Sequence, residues 1–113
     1  MLLGCSELYP VTCTEIGCAG GLTVLFATTP QGDVHVEALA EGETTPRTFD
    51  CTGSGCSAGA RFLNFSPAHV VVTVTTDAGS QQFDLRPQYQ TSRPNGPRCE
   101  PVCRSAQITV TLP

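Results

Sequence analysis

The segment HVVVTVTTDAGSQQFDL (residues 69–85) commits this chain to β-structure. Val70, Val72 and Val74 alternate with Thr73 and Thr75, the period of a strand that buries one face and wets the other. Every residue from Val70 to Thr76 is β-branched, which suits a pleated sheet better than a helix. Asp77-Ala78-Gly79-Ser80 follows as a turn signal, and Phe83 and Leu85 mark the next strand.

The same period recurs on both sides. Leu22, Val24 and Phe26 share a face, as do Val34, Val36 and Ala38, with His35 and Glu37 pointing the other way. Arg61-Phe62-Leu63-Asn64-Phe65 reads as a short strand, and Ile108, Val110 and Leu112 close the chain. Turn signals separate these runs at residues 30–33, 41–43, 52–55 and 94–97, and no segment sustains a helical period. Short strands at intervals of roughly ten residues predict an all-β fold, an antiparallel immunoglobulin-like β-sandwich of about seven strands. The immunoglobulin hallmark of a Trp packed on a disulfide is absent, because the chain has no Trp.

At 113 residues the chain fits one domain, with residues 13–113 as the sandwich and 1–12 as a leading spacer. The formal net charge is −4 and all six basic residues are arginines, a balance that disfavours nucleic acid as a partner. Acids gather before residue 51, whereas Arg86, Arg93, Arg98 and Arg104 gather near the end, opposed there only by Glu100.

Seven cysteines are the loudest compositional signal. The opening Met1-Leu2-Leu3-Gly4-Cys5 resembles the lipobox of bacterial lipoproteins, in which the Cys thiol is acylated after cleavage before it. The basic and long apolar parts of a signal peptide do not precede it, so the chain reads as starting at the end of one. Setting Cys5 aside for lipidation leaves Cys13, Cys18, Cys51, Cys56, Cys99 and Cys103, enough for three disulfides. Ser6 after the Cys implies, by the same resemblance, sorting to the outer membrane. With no run of ~20 apolar residues, a lipid rather than a spanning helix would be the membrane attachment.

CTEIGCAGGLTV (13–24), together with YQTSRPNGPRCEPVCRSAQITVTL (89–112), resembles a group of small uncharacterised cysteine-rich lipoproteins of myxobacteria and their relatives. The resemblance covers both ends of the chain and implies an envelope location and an all-β fold. It implies no activity.

If the first strand runs beside the last, Cys13 and Cys18 meet Cys99 and Cys103 in some order, and Cys51 closes on Cys56. The competing scheme is three local bridges within the clusters. Either way, the proline-rich loop 92–103 needs a staple to be ordered cheaply.

GCSAG (55–59) matches the nucleophile elbow G-x-S-x-G, but that motif requires a strand before it, a helix after it and a His–acid pair. Here the flanks read as strand, loop, strand, so Ser57 is expected in a loop without a nucleophilic role. The cysteine spacings partly suit zinc, yet three disulfides would consume the thiols. His35 and His69 are expected as surface residues rather than ligands, so neither metal nor cofactor is expected.

The functional expectation is a non-enzymatic interaction or structural module, lipid-anchored at Cys5 in the bacterial envelope. Its partner would be another envelope protein. Arg93, Asn95, Arg98 and Arg104, on the stapled loop, are the candidate contacts. The alternatives are an accessory subunit of an envelope enzyme, or a metal-binding or thiol-redox protein built on the cysteine clusters.

Overall fold

The computed structural model describes residues 13–113; Cys5, the lipobox resemblance and the 1–12 spacer lie outside the described residues. Eight strands run in chain order: β1 Gly21–Phe26, β2 Asp33–Ala40, β3 Arg47–Thr52, β4 Ala60–Leu63, β5 Val70–Thr76, β6 Gly79–Leu85, β7 Gln90–Ser92 and β8 Cys103–Val110. A single 3-10 turn at Gly53–Cys56 follows β3, and no helix among the described residues is long and apolar enough to cross a membrane.

The strands form two four-stranded sheets, β4-β1-β8-β7 and β3-β2-β5-β6. Leu22, Val24, Phe62, Ala106 and Val110 of the first sheet join Val34, Val36, Ala38, Val70, Val72 and Val74 of the second in one buried cluster. Alternation in the sequence therefore translates directly into layers. Thr73 and Thr75 take the outer face because Val72 and Val74 occupy the inner one.

Three details depart from the sequence expectation. Among the described residues there are eight strands where about seven were expected, the added one being Gln90–Ser92, a three-residue strand against β8. The turn before β6 is shorter than expected: Asp77-Ala78 alone connects Thr76 to Gly79. The sheets are also not wholly antiparallel, because β1 and β8 pair in parallel, from Gly21↔Ser105 to Phe26↔Val110.

That parallel pair places the start of β1 beside the start of β8, and so brings the lead-in 13–20 alongside the loop before β8. Gly21, at φ +147°, lets β1 enter between two neighbours. A Cβ there would overlap the Phe62 carbonyl on β4, so a side chain at this position would part the two strands.

Candidate functional site

The lead-in 13–20 and the loop 92–103 are joined by two disulfides, Cys13–Cys99 and Cys18–Cys103, while Cys51 closes on Cys56. Of the two pairing schemes, the structure takes the long-range one. The cysteines Cys13 and Cys18 lie on the extended lead-in rather than on a strand. Three disulfides mark an oxidising, extracytoplasmic kind of environment.

Within the loop, two successive turns set the backbone. Gly96 N–H donates to Arg93 O at 3.1 Å and Cys99 N–H to Gly96 O at 3.1 Å. Pro94 suits the first turn because its ring presets φ at the second turn position.

Asn95 is the hub of this region. Its Oδ1 accepts from Thr14 Oγ1 at 2.6 Å and from the Ile16 N–H at 2.7 Å. Its Nδ2 donates to the Ile16 carbonyl at 2.8 Å and to the Glu100 carbonyl at 2.7 Å. Two donors and an acceptor with two lone pairs are thereby used in full. The expectation that Asn95 contacts a partner is corrected: it is buried, and its amide cross-links the lead-in to the loop. Nothing in a single sequence separates a buried Asn of a Pro-Asn-Gly turn from an exposed one.

The three arginines fare differently. Arg93 and Arg98 are exposed; Arg93 makes one 3.4 Å contact to the Pro97 carbonyl, and Arg98 has no hydrogen bond or ion pair among the described residues. Arg104 is exposed but lies over the Tyr89 ring, its guanidinium carbon 5.2 Å from the centroid. Tyr89 is held in turn by its hydroxyl, which donates to the Pro67 carbonyl at 2.7 Å. Burial pushes the Tyr89 phenol above its ordinary value, with Arg104 partly offsetting the effect. Ile16 and Val102, on the same stapled frame, are also exposed.

Ser57 follows the 3-10 turn, its N–H bonded to Ser54 O, and neither histidine bonds to it. Both histidines are occupied elsewhere, in an arrangement the sequence did not reveal. On the outer face of the β3-β2-β5-β6 sheet, His35 Nδ1 meets Asp50 at 2.6 Å and its Nε2 meets Glu37 at 3.0 Å. The Asp50 hydrogen bond, then the Glu37 one, raises the His35 pKa above 6.5. His69 bonds through Nε2 to Asp84, with Glu41 3.6 Å from its Nδ1.

The carboxylates flank each imidazole on opposite sides instead of converging on a point. Accordingly, no group of three or more His, Cys, Asp or Glu among the described residues is arranged to hold a metal. His35 and Glu37, two apart on one strand, were a visible pair; Asp50 joins them only through the β2–β3 register His35↔Asp50.

Comparison with protein-family models, with curated proteins and with solved structures returned no match to this chain.

Proposed function

We propose that this chain is a non-enzymatic interaction module of the bacterial envelope, tethered by a lipid on Cys5 and held at the outer membrane. Its partner surface is the stapled frame made of the lead-in and loop 92–104. The fold is read as immunoglobulin-like in architecture, a rigid two-layer body carrying binding loops at its ends. The kinship to small myxobacterial lipoproteins belongs to the same proposal.

One observation carries the reading. A loop with little apolar content of its own is fixed by two long-range disulfides and a fully used buried amide, while Arg93, Arg98 and Val102 stay exposed on it and Ile16 on the lead-in tied to it. Order without burial lowers the entropy cost of binding, since the contacting groups are already placed. Exposed arginines beside apolar side chains are a composition favoured in protein interfaces. The six cysteines that the thiol or metal alternative would use are joined as disulfides, four in this frame and two, Cys51 and Cys56, beside β3.

The test compares wild type with an Arg93→Ala/Arg98→Ala variant in cross-linked pull-downs from envelope extracts, quantified by mass spectrometry. Loss of specific partners with an unchanged melting temperature is expected. Partner recovery equal to wild type would remove the loop from consideration.

A further inference from the structure

Among the described residues the sandwich has four edge strands, and three of them are guarded. β4 has four residues and β7 three, too short to template another strand, and prolines 87 and 94 flank β7. Cys51, next to the last residue of β3, is tied back to Cys56 by a bridge. Arg47, at the start of β3, reaches over to the Leu63 carbonyl and the Phe65 ring. Such devices are how native sheets keep their edges from pairing with other chains.

β6 lacks them. It runs for seven residues, Gly79–Leu85, without Pro, Lys or Arg. Its register with β5 is continuous from Thr76↔Gly79 to Val70↔Leu85, so no bulge bends the edge away. Its one charge, Asp84, is bound by His69 on the outer face.

The backbone groups on this edge follow from the turn. A two-residue connection closes on a hydrogen-bonded pair, here Thr76↔Gly79, and bonded pairs then alternate along the ladder. Gly79, Gln81, Phe83 and Leu85 therefore bond to β5. Ser80, Gln82 and Asp84 direct N–H and C=O away from it. The 2.8 Å contact between Thr75 Oγ1 and Ser80 Oγ agrees, because side chains come closer at non-bonded pairs. Among the described residues, no strand lies on this side of β6 and no loop bonds to these groups.

We propose that β6 is a homodimerisation edge, pairing antiparallel with β6 of a second copy about a two-fold axis through Gln82. In that register Gln82 faces Gln82, and Ser80 of each copy faces Asp84 of the other. All three outward-directed residues then exchange two bonds apiece with their opposites. Shifting the register so that Gln82 faces Ser80, or faces Asp84, leaves one of the three without an opposite.

A second copy is favoured over an unrelated strand because this register is self-complementary. The two Asp84 charges do not meet, each faces a neutral serine, and the two Gln82 amides can bond to each other. Outer face also continues into outer face, so each copy's four-stranded sheet extends the other's. An isologous two-fold contact of this kind closes on itself instead of propagating. The inference is independent of the role given to loop 92–104.

Sedimentation equilibrium over a wide concentration range tests it. The full chain carries Cys5→Ser, so that an intermolecular disulfide cannot imitate the contact. A reversible monomer–dimer equilibrium is expected. Gln82→Pro removes an N–H that β5 does not use, and should weaken the dimer at least about tenfold, because both ladder bonds across the axis are lost. Should that variant melt early, Gln82→Lys decides instead: two ammonium groups across the axis should weaken the dimer at low salt, with recovery at high salt. A wild-type chain that stays monomeric at millimolar concentration overturns the proposal. So does a dimer insensitive to Gln82→Lys and to any well-folded Gln82→Pro.

Discussion

The sandwich body and the stapled frame at its end reach order by opposite routes. In the body, Leu22, Val24, Val34, Val36, Val70, Val72 and Val74 are fully buried, each stabilising by roughly 1.5–3 kcal/mol through removal of apolar surface from water. In the frame of residues 13–20 and 92–103, the buried residues are Gly20, Asn95, Cys99 and Cys103. Covalent bonds and one amide do there what valines do in the body. The body is cohesive because of what its side chains are, the frame because of which distant residues are tied together. A frame built this way keeps most of its side chains in solvent.

The largest effect should come from cutting the ties. A variant with Cys13, Cys18, Cys99 and Cys103 all changed to Ser opens two cross-links that span 86 and 85 residues of sequence, and closing even one such loop is worth about 4–5 kcal/mol in the chain-entropy account. Denaturant unfolding should report a loss of that order. Hydrogen exchange then sharpens the contrast. Faster exchange in β2 and β5 as well as in the frame means the bridges act through the unfolded chain. Faster exchange confined to 13–20 and 92–103 means they order the frame alone.

A smaller loss should follow from breaking the body. Val72→Ala opens a cavity between the sheets and is expected to cost about 2–3 kcal/mol, or roughly 10 °C in melting temperature for a domain of this size. The frame's disulfides should remain intact on non-reducing mass analysis. A loss below ~1 kcal/mol would mean that the valine layer collapses around the gap and is less tightly specified than its burial implies.

The smallest effect belongs to the acidic outer face. The folded His35 pKa lies above the 6.5 of the free side chain, through its hydrogen bonds to Asp50 and Glu37. Folding is therefore favoured by protonated His35 below pH 6.5, and this contribution fades as pH rises through the folded value. The side chain is 39% exposed, so solvent screening holds the effect below about 1 kcal/mol. Melting between pH 5.5 and 8.5 should show a modest decline that shrinks in His35→Gln. A His35 resonance titrating at or below 6.5 by NMR would contradict the geometry.

Legibility from sequence tracked the range of the interaction. Alternation is local, so the inner faces of β1, β2 and β5 were readable from residues two apart. β7 was not, because three polar residues carry no period; they become a strand only when β8 lies beside them. Loop 92–104 was recognisable as the candidate surface from its prolines, arginines and cysteines. Asn95 was not separable from its exposed neighbours, since its partners Thr14 and Ile16 lie 81 and 79 residues away. The His35 cluster shows the same division, with Glu37 adjacent in pattern and Asp50 supplied by register.

By itself, then, the amino-acid sequence determined the strand-forming alternation, the oxidisable cysteine set and the position of the proline-rich loop, all properties of composition and near neighbours. Tertiary structure alone decided the parallel β1–β8 pairing, the choice of Cys13–Cys99 and Cys18–Cys103, the burial of Asn95 and the exposure of β6. Each of these depends on which remote segments come within hydrogen-bonding or bonding distance, and sheet register sets that for every strand at once.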